Sequence, residues 1–161
     1  MFYSYLESPI GPLLLSGTKQ ALNGLYFSTG SKARGPDPEW LQSDHCFIQV
    51  KKQLQEYFSG ERKAFDLTLA PAGTVFQQSV LAALQEIPFG ETRSYAEVAT
   101  AIGNPKAVRA VGSANGNNPI ALIIPCHRVI GSNGSLTGFG GGLEAKRFLL
   151  EFEARHSGLW S

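Results

Sequence analysis

The sequence predicts an α+β chain with two domains, a small sheet-and-helix domain over residues 1–71 and a mostly helical domain over residues 72–161. Short apolar runs separated by glycine and proline turns, typical of strands, fill the N-terminal part. After residue 74, apolar residues instead recur at helical spacing. The two parts meet at Ala70-Pro71-Ala72-Gly73, whose composition is typical of a loop, and we therefore place the domain boundary near residue 71.

The N-terminal domain is predicted to begin with an antiparallel meander and to continue into a helix. Its first three strands are expected at residues 2–6, 12–15 and 22–27. Residues 31–38, which are rich in Lys, Arg, Gly and Pro, should form an exposed loop. From Phe47 the apolar positions follow helical spacing as far as Gly60, which suits the end of a helix. Residues 64–69 are predicted to be a last strand.

Two helices of the C-terminal domain are marked by capping boxes, in which two side chains cap each other's backbone amides. Thr74 with Gln77 opens the first of these helices, and Ser94 with Glu97 opens the second. The last helix is expected over residues 143–156, where apolar and charged residues fall on opposite sides. Glu153 lies inside the apolar arc, so we expect it either to pair with a histidine or arginine or to reach out to solvent.

A helix-turn-helix is predicted between these capping boxes and the last helix. The second capped helix should stop at Gly103, and Asn104 should cap a further helix that has Pro105 in its first turn. That further helix is thin, and Arg109 is its one long cationic side chain. Such a helix can approach a DNA groove closely, or it can pack closely on another helix. Its small residues are Ala107, Ala110, Ser113 and Ala114.

The charge distribution is compatible with a phosphate-bearing partner, although the net charge is only +1. No Asp or Glu occurs between Glu97 and Glu144, whereas Lys106, Arg109 and Arg128 lie in that interval. A surface formed by this segment would not repel phosphate, and Arg128 is a candidate DNA contact on it.

Hydropathy and cysteine content favour a protein of the cytoplasm, or of the nucleus if the source is a eukaryote. No apolar run approaches the ~20 residues that span a bilayer, so no membrane partner is expected. Cys46 and Cys126 are expected to be free thiols in a reducing compartment. No exposed apolar repeat suggests an oligomer, and we expect a monomer.

Cys126 and His127 are the candidate reactive groups. They follow the apolar run 120–124, so Cys126 is either a buried small hydrophobe or a nucleophile. His127 could act as a base and Glu153 could orient it, as in other nucleophile triads. If the chain is extended here, the two neighbouring side chains point to opposite faces, and a water molecule is the simplest link. A thiol hydrolase remains an alternative reading.

A metal site is not expected. His45-Cys46 and Cys126-His127 supply four potential ligands, but neighbours in sequence rarely both reach one tetrahedral ion. We therefore predict no metal and no cofactor.

The segment Pro125-Cys126-His127-Arg128-Val129 resembles the active-site motif of the 6-O-alkylguanine-DNA alkyltransferases, also called methylated-DNA--protein-cysteine methyltransferases. The resemblance is strong over residues 74–155. In the N-terminal half it is carried by Ser8-Pro9-Ile10-Gly11 and by the strand pattern. Further matching segments follow in the family's order and spacing: Pro88-Phe89-Gly90, Ser94-Tyr95, Gly103-Asn104-Pro105, Arg109-Ala110-Val111-Gly112, Asn118-Pro119 and residues 138–143.

The resemblance implies a ribonuclease H-like N-terminal domain and a winged-helix-like C-terminal domain that contains the helix-turn-helix. It implies that Cys126 takes the alkyl group from O-6-alkylguanine, and from O-4-alkylthymine as a further candidate, in double-stranded DNA. The protein would be alkylated irreversibly and act once. His127 and Glu153 would relay the thiol proton through water, Asn118 would stabilise the turn, and Tyr95 would protonate or hydrogen-bond the guanine at N3.

The resemblance also assigns residues to DNA contact and to base binding. Arg109 would fill the gap left by the flipped nucleotide, and the thin helix would lie in the minor groove. Phe139, Gly140 and Val129 would line the base pocket. Gly140 stands where relatives often have Ser, and we expect it to widen the pocket for larger alkyl groups. Some relatives lack the cysteine and bind alkylated DNA without repairing it; the presence of Cys126 argues against this alternative.

Overall fold

In the computed structural model, residues 1–30, 32–136, 139 and 141–157 are described. The N-terminal part contains a four-stranded sheet of order β3-β2-β1-β4, in which β1 pairs antiparallel with β2 and parallel with β4. Helix α1 follows the sheet in the chain. The elements are β1 (Phe2–Leu6), β2 (Leu13–Gly17), β3 (Leu22–Phe27), β4 (Leu41–Gln42) and α1 (Ile48–Phe58). The predicted meander and helix are thus confirmed.

One prediction about this part is wrong, and one strand was missed. Residues 64–69 form no strand, because they pair with β3 at a single bridge between Leu22 and Leu69. The rest of that edge of β3 is occupied by a later segment: Leu25 N donates to Pro119 O at 2.9 Å, and Ala121 N donates to Leu25 O at 3.3 Å. Strand β4 was not predicted, because its two residues are exposed and show no alternating pattern.

The C-terminal part is mostly helical, as predicted. Both predicted capping boxes are present: Thr74 and Gln77 bond reciprocally at one helix start, and Ser94 and Glu97 do so at the other. A short parallel pair, β5 with β6, joins the start of the second capped helix to the segment that follows Cys126. The elements are α2 (Val75–Gln85), β5 (Arg93–Ser94), α3 (Tyr95–Ala101), α4 (Val108–Gly116), a 3₁₀ turn (Cys126–Arg128), β6 (Val129–Ile130) and α5 (Leu143–Arg155).

The helix-turn-helix is formed by α3 and α4, but its second helix begins later than predicted. Asn104 does not cap α4, whose N-cap residue is Ala107. The backbone amide of Asn104 instead closes the end of α3 by donating to Ala99 O at 3.0 Å. With Gly103 at a φ of 77°, this is a Schellman ending. Asn104 O then accepts from Ala107 N at 3.0 Å, so Pro105 lies in a turn and α4 starts at Val108.

One hydrophobic core runs through both parts of the chain. It joins residues of the sheet such as Leu25 to residues of the helices such as Leu84 and Leu149, all of which are fully buried. The run 120–124 belongs to this core, and it leads directly to Cys126. No helix within the described ranges combines the length and the apolar character that crossing a membrane requires.

Candidate active site

Cys126 is positioned by the active-site turn, formed by residues 119–125, which is held by hydrogen bonds at both ends. At its start, the backbone of Leu25 in β3 forms hydrogen bonds with the backbones of Pro119 and Ala121. Asn118 then bridges it: its Nδ2 donates to Ile124 O at 2.8 Å, and its Oδ1 accepts from Ile120 N at 3.0 Å. Asn118 therefore makes the turn-bridging contacts that the family resemblance implies.

The same turn contains a strained residue. Leu122 has a φ of 72°, in the left-handed region that residues with a Cβ rarely adopt, and its side chain is 1% exposed. The surrounding core holds this conformation, and the Leu122 backbone favours the thiolate form of Cys126, which lowers the pKa of that thiol.

Cys126 lies on the wall of a pocket that encloses about 390 Å³, including its open mouth. One side of the pocket is formed by β3 and Lys32, and the other by the end of α4 and the active-site turn. Phe139 lines it as predicted, with its ring centroid 5.2 Å from that of Phe27. The full lining is Leu25, Tyr26, Phe27, Lys32, Asn115, Gly116, Asn118, Ala121, Cys126 and Phe139.

Two other residues predicted for the base pocket have different outcomes. Val129 is fully buried in the core and does not line the pocket; its carbonyl accepts from Lys146 Nζ at 2.6 Å. Its side chain packs in the hydrophobic core. Gly140 lies outside the described residues.

His127 and Glu153 are in direct contact inside the protein. The distance from His127 Nε2 to Glu153 Oε2 is 2.7 Å, and the two side chains are 0% and 1% exposed. Cys126 to Arg128 form a 3₁₀ turn, so the extended conformation considered for this segment does not occur. His127 Nδ1 has no hydrogen-bond partner among the described residues.

Glu153 accepts five hydrogen bonds. Arg128 donates from Nε to Oε1 at 2.8 Å and from Nη2 to Oε2 at 3.0 Å. Tyr57 Oη donates to Oε2 at 2.6 Å, and Gly90 N donates to Oε1 at 3.2 Å. Glu153 therefore pairs with both a histidine and an arginine, where one such partner was predicted. The contacts of Tyr57 and Gly90 with Glu153 were not predicted, because nothing in the sequence near them points to a residue so far along the chain.

The protonation states of this cluster follow from its surroundings. Burial alone would raise the pKa of Glu153, but the hydrogen bonds and charges of His127 and Arg128 outweigh it and hold the pKa well below its usual range. Burial lowers the pKa of His127, and this effect exceeds the opposing pull of Glu153. A neutral imidazole beside an ionised carboxylate carries its proton on Nε2. We assign that tautomer, which leaves Nδ1 as a proton acceptor.

The Cys126 thiol is protonated at rest and needs a base. It is 5% exposed, and burial raises its pKa. The Asn118 side chain, the Leu122 backbone and the charge of Lys146 oppose this rise by favouring the thiolate. A buried thiol beside a neutral imidazole and several thiolate-stabilising groups is an arrangement for a nucleophile that is activated during reaction.

The predicted DNA-binding residues of α4 divide between its two sides. Arg109, Ala110 and Ser113 are exposed and Ala107 is half-buried. Ala114 is 4% exposed and belongs to the core, so its predicted contact with DNA is wrong. The helix turns its Val111 side inward, and Ala114 follows three residues later on that same side.

Tyr95 opens α3 and is half-buried next to α4. Gly112 of α4 faces its ring: a Cβ built on Gly112 would lie 3.8 Å from the Tyr95 ring, an ordinary van der Waals distance, so the two helices pack closely here without requiring a glycine.

The prediction that Arg128 contacts DNA is also wrong. Its side chain is buried, with Nη1 donating to Ile87 O at 2.6 Å in addition to the two bonds to Glu153. The guanidinium neutralises a buried carboxylate and cannot reach a phosphate. Within the described part of the chain, no group of three or more His, Cys, Asp or Glu side chains could hold a metal ion.

Two family models match almost the whole chain. Residues 1–71 match the ribonuclease-like domain of 6-O-methylguanine DNA methyltransferase. Residues 75–155 match the DNA-binding domain of 6-O-methylguanine DNA methyltransferase.

Individual relatives agree with these matches. The chain is 54% identical to the methylated-DNA--protein-cysteine methyltransferase of Methanosarcina acetivorans, over 95% of this chain and 98% of the relative. It is 47% identical to the protein of that name from Haemophilus influenzae, over 95% of this chain and 86% of the relative. The crystal structure of Mycobacterium tuberculosis OGT in complex with DNA superposes with a TM-score of 0.92 at 48% identity, covering 98% of this chain and 95% of that one.

Proposed function

The chain belongs to the 6-O-methylguanine DNA methyltransferase family, and from this premise we propose that it repairs DNA by moving the alkyl group of O-6-alkylguanine onto its own Cys126. The observation that carries the proposal is the position of Cys126. Its thiol lies on the wall of a pocket next to a histidine whose tautomer is fixed by Glu153.

Deprotonation of the thiol is the first step. No direct hydrogen bond joins the Cys126 thiol to the His127 ring within the described residues, so we assign the transfer to a bridging water molecule. The proton passes through this water to His127 Nδ1, and Glu153 stabilises the imidazolium through Nε2. Asn118, the Leu122 backbone and Lys146 stabilise the thiolate that forms.

Alkyl transfer is a single displacement. The thiolate sulfur attacks the alkyl carbon, a carbon–sulfur bond forms, and the bond between that carbon and guanine O6 breaks. The electron pair passes to the guanine ring, where Tyr95 hydrogen-bonds N3 and a proton is taken up. The proton gained by guanine balances the one lost by Cys126. The thioether has no leaving group, so each protein molecule reacts once.

The damaged nucleotide must leave the duplex to reach Cys126. In our proposal the thin helix α4 lies in the minor groove with Ala107, Ala110 and Ser113 towards the backbone, and Arg109 takes the place of the flipped nucleotide. The base stacks on Phe139 in the pocket. The further suggestion that Gly140 admits larger alkyl groups rests on the sequence.

The remaining expectations follow from this activity. We propose a monomer that works on genomic DNA in the cytoplasm, or in the nucleus of a eukaryote, where two free thiols stay reduced. We place the domain boundary near residue 71, in the irregular segment between α1, which ends at Phe58, and α2, which begins at Val75.

Mass spectrometry of the intact protein and of its peptides tests the proposal. After incubation with a duplex carrying O-6-methylguanine, one methyl group should be found on Cys126 and none on Cys46. The Cys126→Ser variant should stay unmodified. A protein that binds the damaged duplex but gains no mass would instead be a non-catalytic alkylated-DNA binding protein.

A further inference from the structure

Among the described residues, Tyr57 is the one hydrogen-bond partner of Glu153 that comes from the N-terminal part of the chain. It lies on α1, and its Oη donates to Glu153 Oε2 across 96 positions of sequence. The same oxygen accepts from His127 Nε2 at 2.7 Å. One carboxylate oxygen therefore joins the N-terminal helix to the imidazole of the proposed proton relay.

The hydroxyl of Tyr57 lies in apolar surroundings. The side chain is 0% exposed, and its ring packs within 6 Å of four phenylalanine rings. A phenylalanine would satisfy that packing without burying a hydroxyl, which costs free energy unless it is hydrogen-bonded. The hydroxyl has one described partner, Glu153. The neighbouring rings are Phe58, Phe65, Phe89 and Phe152.

We infer that Tyr57 is a positioning residue of the proton relay: its hydroxyl holds Glu153 Oε2 against His127 Nε2 and disperses the charge of that oxygen. This inference rests on the proposed function. It makes the N-terminal part of the chain a contributor to the chemistry of Cys126, through α1.

The direction of the effect follows from the charges around His127. Glu153 and Lys146 face it from α5, Arg128 follows it in the chain, and Cys126 precedes it. Without the Tyr57 hydroxyl, the negative charge on Oε2 is less dispersed, so the imidazolium is stabilised and the pKa of His127 rises. His127 must be neutral to accept a proton, so the acid limb of the pH–rate profile moves to higher pH.

The test compares Tyr57→Phe with Tyr5→Phe, an exposed tyrosine of β1. The second-order rate constant for methyl transfer from O-6-methylguanine duplex is measured across pH. In parallel, ¹⁵N NMR follows the titration of His127, with His45 and His156 as internal references. We expect Tyr57→Phe to react about tenfold more slowly near neutral pH, in line with one lost hydrogen bond to a charged group. We also expect the His127 titration and the acid limb of the rate to move upward together.

Unchanged titration and acid limb in Tyr57→Phe, even with a lower rate or a lower melting temperature, would show that Tyr57 only packs and would overturn the inference. A shift of the same size in Tyr5→Phe would overturn it as well. If the unaltered protein took up no methyl group, the proposed function would fail and with it any part of Tyr57 in catalysis. Failure of the proposed function can be distinguished from failure of the inference about Tyr57, because the NMR titration of His127 does not depend on activity.

Discussion

His127 Nε2 lies 2.7 Å from Glu153 Oε2, and neither side chain is in contact with solvent. Because the carboxylate stays ionised, it fixes the imidazole proton on Nε2 and leaves Nδ1 as the acceptor. This relationship makes the base function of His127 depend on the charge of Glu153, and the first expectations below follow from it.

Replacing Glu153 by Gln should slow alkyl transfer by about a hundredfold, because an amide can no longer stabilise the imidazolium. It should also lower the free energy of unfolding by roughly 3 kcal/mol or more, since Arg128 would be left buried without its counter-charge. Rapid-quench kinetics and urea unfolding measure the two effects. The exposed Glu151 of the same helix is the matched control, and Glu151→Gln should change neither quantity.

Stability should fall on acidification in two stages. The pKa of His127 is lowered in the folded protein, so the unfolded chain binds its proton more readily, and stability is lost as the pH falls below the ordinary histidine value of 6.5. The pKa of Glu153 is also lowered, so its contribution, present above its ordinary value of 4.5, is lost as the pH falls further. Melting temperatures between pH 8 and about pH 3 test this order. A melting temperature that rose between pH 7 and about pH 5 would contradict it.

Substitution of Arg109 should impair the repair of duplex DNA, whereas substitution of Arg128 should impair stability, although both residues were predicted to contact DNA. Arg109→Ala should slow repair of duplex DNA by about tenfold while leaving the reaction with free O-6-benzylguanine unchanged, because only the duplex substrate needs a flipped nucleotide. The exposed Arg147 of α5 provides the control, Arg147→Ala. Equal losses on the duplex and on the free base would argue against this role of Arg109.

Arg128→Ala should instead destabilise the folded protein. We expect a large loss of melting temperature, because Glu153 would lose its cation and Ile87 O its donor. Fluorescence anisotropy with undamaged duplex, at a temperature where the variant is folded, should show DNA affinity close to that of the unaltered protein. A strong loss of DNA affinity in the folded variant would instead indicate that Arg128 contacts DNA.

Structural features that depend on residues close together in the chain could be predicted from the sequence. The capping boxes at Thr74 and Ser94 involve residues three positions apart, and both formed. The start of α4 was misplaced for a local reason too: Asn104 suits a helix start, but it completes the ending of α3, and its carbonyl then accepts from Ala107 N in a separate turn before α4 begins.

Long-range contacts could not be predicted, because no spacing encodes them. The Tyr57–Glu153 bond depends on how α1 and α5 meet, and a lone tyrosine on an apolar helix face looks like core. Arg128 was assigned to the surface because it lies in the segment between Glu97 and Glu144, which has no Asp or Glu. Its burial is understandable only once Glu153 and Ile87 are seen beside it.

The stoichiometry of transfer tests the central claim most directly. A fixed amount of protein is incubated with increasing amounts of O-6-methylguanine duplex, and the methyl groups transferred per protein molecule are counted together with their position. We expect the count to level off at one, with the methyl group on Cys126 and the guanine restored. A count that rises with time beyond one would indicate turnover, and a count of zero with intact protein would indicate binding alone; either result would contradict irreversible self-alkylation at Cys126.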